Sequence, residues 1–451
     1  MAITTFVQMI DFLENFTNLE KQTDNYTTRT YRLDRMAKLL AHLGNPERSF
    51  KKIHLAGSKG KGSTATYLAT ALTASGYKTG LFLSPHLSDY RERFTLAGTF
   101  FDDVFLVQVG NQLIEAVSTF TFTDQWGPTT PTTFELFCAY AYLLFKEAGC
   151  SWAVIETGLG GRLDATNTIE AEAVVLCPIE LEHTKILGDT IEEIAIEKSK
   201  IIKEGQPVFI GYQDRRVMEI FLSEAQTNGA PVYRLDQALT ALISKTTEDG
   251  EAVTYRWADR AEQQLLLSMR GSVQAQNSAL ALLVLRTLSF DESLFLDAFC
   301  KNTAPGRFQQ LGDHPALYVD GAHTAHSLSA LLASFSALHE ASKTTIIYGA
   351  LEDKDHVHMV QSVLQHASQI IISRPGTYKK SNIVALKALF DERNTEGRQV
   401  VLIEENDQAL AYAYAHTPAD GAILACGSFY LAGGIKEALE RREGLGEPQL
   451  A

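Results

Sequence analysis

KKIHLAGSKGKGSTATYLATALTASG, residues 51–76, reads as an apolar β run, a glycine-rich loop and a helix opened by Ser63 and Thr64. Glycines between a strand and a helix let backbone N–H groups turn toward an anion, the helix N-terminus adds its dipole, and Lys61 supplies a point charge. The stretch therefore predicts a nucleoside triphosphate site, with Gly57, Gly60, Lys61, Gly62, Ser63 and Thr64 around the phosphates. A hydroxyl at Ser63 or Thr64 can also reach Mg²⁺. The spacing departs from the common Gly-x4-Gly-Lys-[Ser/Thr] loop: Leu55 stands where its first glycine would be, and Gly62 separates Lys61 from Ser63.

Outward from this loop, short β-rich runs alternate with helical patterns, which predicts parallel α/β layering. The early runs are Lys52–Ala56, Gly80–Ser84, Trp152–Glu156, Val174–Ile179 and Pro207–Gly211. In Thr133–Ala148, the residues Phe134, Phe137, Cys138, Ala141, Leu144, Phe145 and Ala148 recur at helical spacing as one apolar face. A second set follows residue 313: Ala316–Asp320, Thr345–Gly349, Ile370–Ser373, Val400–Ile403 and Ala422–Cys426. Between the sets, Leu235 to Arg270 alternates and reads as a small antiparallel excursion, followed by a helix from about Gln274 to Leu288. The expected fold is α/β. It has an N-terminal P-loop-type ATPase domain with a mainly parallel sheet, residues 1–301, and a smaller C-terminal Rossmann-like domain, residues 302–451.

The 451 residues provide ample interior for two such domains. Forty Lys plus Arg against 54 Asp plus Glu leave a formal charge of −14, which argues against nucleic acid or an anionic membrane as the main partner. Bound phosphate must then be held locally. The five cysteines include no Cys-x-x-Cys spacing and no disulfide framework. The start, MAITTFVQMIDFLENF, carries acidic residues and no basic segment, and no apolar run reaches the roughly 18 residues that span a bilayer. A soluble, cytoplasmic, monomeric protein is expected.

Several motifs stand in order along the chain: the shortened Gly-x-x-Gly-Lys-Gly-Ser loop, Leu83-Ser84-Pro85-His86-Leu87, Arg91-Glu92-Arg93-Phe94, and Glu156-Thr157-Gly158-Leu159-Gly160-Gly161-Arg162-Leu163-Asp164-Ala165-Thr166-Asn167. His183-Thr184, Glu197-Lys198, Pro305-Gly306-Arg307, Asp320-Gly321-Ala322-His323, Asp353-Lys354-Asp355 and Gly427-Ser428 continue the series. Together they resemble folylpolyglutamate synthase, often also dihydrofolate synthase, a family related to the Mur peptide ligases.

The resemblance implies an ATP-dependent amide ligase. A folate or dihydropteroate carboxylate attacks the ATP γ-phosphate, the acyl phosphate is attacked by the amine of L-glutamate, and ADP and phosphate are released. It further implies Ser84, Glu156, His183 and Ser63 as ligands of two Mg²⁺ ions. Arg307 and Asp320 are implied on the nucleotide, Asn277 near the adenine, His323 near the glutamate, and Arg93 and Phe134 at the folate pocket. The second domain is expected to close over ATP and glutamate. The family usually has Asp where this chain has Glu182, and Asn-Pro where it has Thr324-Ala325.

Lys198 is anomalous by pattern alone. In Thr190–Gly205, Thr190 and Glu193 make a capping box, and Ile191, Ile194, Ala195, Ile201 and Ile202 trace a buried helical stripe. Lys198 falls on that stripe, either as a snorkelling side chain or as a buried amine of lowered pKa. The resemblance implies the second, with Lys198 carbamylated as a metal ligand; Lys200 is expected to face solvent.

Two other functions fit parts of the pattern. A Mur-type ligase acting on a cell-wall precursor shares the loop and the lysine, but the phosphate loop begins at residue 57, and Ser84-Pro85-His86-Leu87 with Arg91-Glu92-Arg93 favours folate. An inactive nucleotide-binding regulator would be expected to have lost one of Lys61, Ser84, Glu156, His183 or Lys198, and all five are present.

Overall fold

The computed structural model describes residues 2–18, 33–123, 130–352, 354–376 and 381–444; Asp353 of the Asp-Lys-Asp motif lies outside them. The strands are β1 (Lys51–Ala56), β2 (Thr79–Phe82), β3 (Phe94–Leu96), β4 (Trp152–Glu156), β5 (Ala173–Leu176), β6 (Val208–Ile210) and β7 (Val232–Arg234) in a first sheet of order β3-β2-β4-β1-β5-β6-β7. All neighbours pair in parallel except β2 with β3. β8 (Leu239–Thr247), β9 (Gly250–Trp257) and β10 (Gln263–Leu267) form a small antiparallel sheet. β11 (Gln309–Asp313), β12 (Ala316–Val319), β13 (Thr344–Tyr348), β14 (Gln369–Ile372), β15 (Gln399–Leu402) and β16 (Ala422–Cys426) make the third, of order β11-β12-β16-β13-β14-β15. Only β11 runs antiparallel there.

Alternation along β4 divides the first core. Trp152 and Val154 pack with the helices Lys61–Ala74 and Ser272–Thr287, whereas Ala153 and Ile155 face the helix Thr133–Glu147. The central β1 contributes Ile53 and Leu55 to the first of these layers. Parallel strands covered on both faces read as continuous apolar runs, which is why these were legible in sequence.

The helix Thr133–Glu147 corrects one expectation. It is buried nearly all round from Glu135 to Phe145 rather than along one face. Phe6–Glu14, Leu33–His42 and Asp103–Thr119 pack over its outer side, so no polar face is needed. The helix foreseen over Thr190–Gly205 is shorter, Ile191–Ser199, with the capping box at Thr190 and Glu193 formed. Ile201 and Ile202 lie past its end yet remain buried. Lys200 is half-buried against the Glu224 carboxylate instead of facing solvent, because Ile191–Ser199 packs on the helix Arg215–Thr227 that carries Glu224. Strands β3, β7 and β11 are additions to the sequence reading; they are short edge strands of three to five residues and carry no long apolar run, whereas β8 falls within the antiparallel excursion foreseen between Leu235 and Arg270.

Candidate functional site

β1 ends at Ala56, and the chain turns over Gly57–Gly60 into the helix Lys61–Ala74. Gly60 takes φ of 80°, and a Cβ there would lie 2.2 Å from Asn277 Oδ1, so both backbone conformation and space demand glycine. The loop is tied from below: the N–H groups of Ser58 and Lys59 donate to the Pro178 carbonyl at 2.8 and 3.1 Å. Lys61 Nζ donates to Gly57 O at 2.9 Å and lies 3.7 Å from Glu156 Oε1. Gly57 O receives a second ammonium, Lys198 Nζ, at 2.7 Å.

Glu156 terminates β4 beside β1 and is buried. Burial raises its carboxyl above the usual range, against the pull of Lys61, the Ser84 N–H, Arg307 and Lys198. Ser84 N donates to Glu156 Oε2 at 3.2 Å. From the other side of the cleft comes Arg307, its guanidinium 4.3 Å from the centre of the Phe429 ring. A Cβ on Gly62 would stand 3.5 Å from Glu156 Oε2 and 3.7 Å from Arg307 Nη2. Gly62 therefore keeps open the space between a carboxylate at the end of β4 and a guanidinium from the turn that precedes β11. Asp320 follows β12; its two oxygens accept the Phe308 and Ala322 N–H groups, each at 2.7 Å, which fixes the loop around Arg307.

A second cluster lies around Glu182. Its carboxylate is 3.2 Å from Lys59 Nζ and 3.7 Å from Lys198 Nζ. Burial alone would raise this carboxyl, but the Lys59 and Lys198 ammoniums hold it well below the usual range. Lys198 is 2% exposed, so its ammonium is desolvated and its pKa drops to about 8. Burial also brings His183 down to about 4, which leaves a neutral imidazole with a lone pair. His183 adopts φ of 51° at the start of a short turn, Thr184–Leu187. Lys59 Nζ further contacts His323 Nε2, and Thr324 Oγ1 donates to Glu180 Oε2 at 3.2 Å. Thr324, at the position of the family's Asn, thus caps the helix Ala325–Ser336 and reaches across the cleft.

The cleft between the first and third sheets, with a cavity volume of about 330 Å³, brings together Gly60, Lys61, Gly62, Ser63, Ser84, Phe134, Glu156, His183, Lys198, Asn277, Arg307, Asp320 and His323. Three expected site residues do not line it. Gly57 presents only its carbonyl to the two lysines, and Thr64 is wholly buried beside Cys177. Arg93 is 2% exposed, donates to His86 Nδ1 at 2.9 Å and lies over the Phe137 ring, so it belongs to the wall behind the cleft. Phe134 lines the cleft while packing on Phe82, and its ring covers Gly158. Lys59 and Phe429 escaped the sequence reading. The signal for Lys59 was present, a second lysine one residue from Lys61 across Gly60; for Phe429 it was an aromatic directly after Ser428 at a strand end.

Among the described residues, no three His, Cys, Asp or Glu side chains gather closely enough to hold a metal ion by themselves. Glu156 faces Lys61 and Glu182 faces Lys198, so each carboxylate is paired with an ammonium rather than with another ligand. No helix among these residues is long and apolar enough to cross a membrane.

The sequence matches the family model of the Mur ligase middle domain over residues 55–285 and that of the Mur ligase glutamate ligase domain over residues 306–429. The dihydrofolate synthase/folylpolyglutamate synthase of Bacillus subtilis (strain 168) is 30% identical over 416 residues, which are 90% of this chain and 95% of that protein. Mycobacterium tuberculosis folylpolyglutamate synthase, complexed with ADP and AMPPCP, has a TM-score of 0.84 at 27% identity, covering 98% of this chain and 99% of its own. Escherichia coli FolC in complex with DHPP and ADP has a TM-score of 0.80 at 26% identity, with 98% and 99% coverage. Matched in sequence and in fold along nearly its whole length, this chain belongs to the Mur ligase family, in the branch of the folylpolyglutamate and dihydrofolate synthases, and is an ATP-dependent ligase.

Proposed function

We propose that this ligase joins the amine of L-glutamate to a carboxylate of a folate, and to dihydropteroate in the same cleft. The observation that carries this reading is the convergence of Lys61, Glu156 and Arg307 about Gly62, at the N-terminus of a helix and from both sides of the cleft. Such a place suits a phosphoryl group in transfer. A carboxylate oxygen of the pterin substrate attacks the γ-phosphorus, the bond to the bridging oxygen breaks, and ADP leaves. The glutamate amine then attacks the acyl carbon, phosphate departs, and the amine gives its proton to solvent. Lys61 and Arg307 hold the charge that develops on the phosphate oxygens. Phe134, over Gly158, offers a flat apolar wall to a pterin, and His323 with Lys59 marks the end of the cleft where the amino acid enters.

Glu156, with the hydroxyls of Ser63 and Ser84, is a hard oxygen set, and its burial disfavours a carboxylate without a cation, so these residues fit Mg²⁺. Mg²⁺ there would neutralise and align phosphate oxygens. A second ion at His183 and Lys198 requires a changed Lys198, because an ammonium has no lone pair to give. A carbamate at Lys198 supplies one, and its burial beside the cleft supports that reading. Asn277, against Gly60, is suited to the nucleotide.

ADP release is the test, measured with glutamate and a panel of dihydropteroate, tetrahydrofolates and uridine-linked muramyl precursors. Turnover is expected with the pterins; turnover only with muramyl precursors would overturn the substrate. Lys198→Ala should bind folate nearly normally, lose ligation, and regain part of it with acetate but not with chloride. Full activity of that variant without additive would defeat the carbamate.

A further inference from the structure

Beneath the cleft, a chain of buried polar groups runs from β1 to the loop that follows β4. His54 Nε2 is 2.9 Å from Thr166 Oγ1, and Thr166 Oγ1 donates to Asp164 Oδ1 at 2.5 Å. His54 is 1% exposed, Asp164 1%, and Thr166 fully buried. A carboxylate only accepts, so the single hydroxyl proton of Thr166 is committed to Asp164. The Thr166 oxygen must then accept from His54, which places the imidazole proton on Nε2.

Asp164 passes this order upward. Its Oδ2 accepts the Leu159 N–H at 2.8 Å and its Oδ1 accepts the Thr166 N–H at 3.0 Å. The loop so pinned is the floor of the cleft. A Cβ on Gly158 would lie 2.3 Å from the Phe134 ring, and one on Gly161 would meet the Lys198 backbone within 3.0 Å. Displacing the loop by a few tenths of an ångström therefore moves the wall opposite the pterin.

We infer that His54 is a positioning residue of this ligase, acting through Thr166 and Asp164 to set the Gly158–Leu159 backbone beneath Phe134. The inference rests on the folate reading above. The phosphate loop has ties of its own, the Ser58 and Lys59 N–H groups on Pro178 O, so the relay acts more strongly on the pterin side of the cleft than on the nucleotide.

His54→Phe and Thr166→Val are each expected to raise the KM for the pterin substrate tenfold or more, while the KM for ATP changes less than threefold. The double variant should be no worse than the poorer single one, because both break the same chain. His54→Gln, which keeps a donor at similar reach, should recover to within threefold of wild type. Equal changes in both KM values, or losses that multiply in the double variant, would overturn the inference. If His54→Phe does not fold, Thr166→Val carries the same test. A readout free of substrate is the imidazole resonance of labelled wild-type protein: an Nε2–H tautomer is expected, and an Nδ1–H tautomer would break the relay. Failure of wild type to ligate glutamate to any pterin would strike the substrate reading, whereas the tautomer would still decide the relay.

Discussion

Lys59 Nζ lies 3.0 Å from His323 Nε2, which joins the phosphate loop to the turn after β12. The direction of this bond is determined. His323 Nδ1 is 2.8 Å from Gly321 O, a carbonyl that only accepts, so Nδ1 carries the proton and Nε2 takes one from the ammonium. Burial, together with the Lys59 charge, holds His323 down to about 3, so the imidazole stays neutral. Lys59→Met removes a charge-assisted bond of about 1.5–3 kcal/mol between the two sides of the cleft. Small-angle scattering of the ligand-free variant is expected to show a larger radius of gyration than wild type; an identical profile would show that other contacts hold the cleft together.

Lys61 is held by the Gly57 carbonyl and the neighbouring Glu156 carboxylate on the same side of an open cleft, so its loss should cost chemistry rather than folding. Lys61→Ala is expected to lower kcat by about 10²–10³-fold, as does removing one electrostatic donor from other active sites. The melting temperature should stay within about 2 °C of wild type. Unchanged turnover with all substrates saturating would remove Lys61 from the mechanism.

Gly60→Ala places a methyl group 2.2 Å from Asn277 Oδ1 at a residue with φ of 80°. The left-handed conformation costs about 1–2 kcal/mol for a residue with a Cβ, and Asn277 must also move. Calorimetric titration with ADP is expected to show an affinity at least about tenfold weaker. Affinity equal to wild type would mean that the loop rearranges without consequence.

His54 gives a pH dependence with a defined sign. Its pKa falls from 6.5 to about 3, mainly through burial, with Lys203 adding to the effect. Between these values the unfolded chain takes up a proton that the folded one refuses, so the contribution is complete above about pH 6.5 and lost as pH falls toward 3. The slope is about 1.4 kcal/mol per pH unit well below pH 6.5. Denaturant titrations between pH 4.5 and 7 should show stability rising with pH in wild type, to which the buried His183 and His323 also contribute, with a slope smaller by about 1.4 kcal/mol per pH unit in His54→Gln. Parallel curves would show that His54 is protonated in the folded state.

The strands around the site were legible because parallel strands buried on both faces are written as apolar runs, and the phosphate loop because glycine spacing is local. Glu156 and Asp320 could be placed at the ends of runs by the same logic, since chemistry in such sheets gathers beyond the carboxyl ends of strands, whereas Arg307 was legible only through its motif beside the expected linker. The burial of Thr133–Glu147 on all sides was not legible, because it depends on the three helices laid over it. The burial of Arg93 was not legible for a similar reason: a charged residue in a motif reads as exposed, whereas tertiary packing lays its guanidinium against His86 and the Phe137 ring.

The sequence by itself determined which backbone segments become strand, loop and helix, and which chemistry-bearing residues stand at their ends, because hydrophobic period, glycine spacing and capping act over a few residues. Only the tertiary structure decided the pairings: Lys59 with His323 and Glu182, Arg307 with Phe429, and His54 with Thr166 and Asp164. Direction, burial and proton placement in these pairs depend on groups brought together from separate loops and strands. No local pattern encodes that meeting; it follows from how the sheets and helices pack.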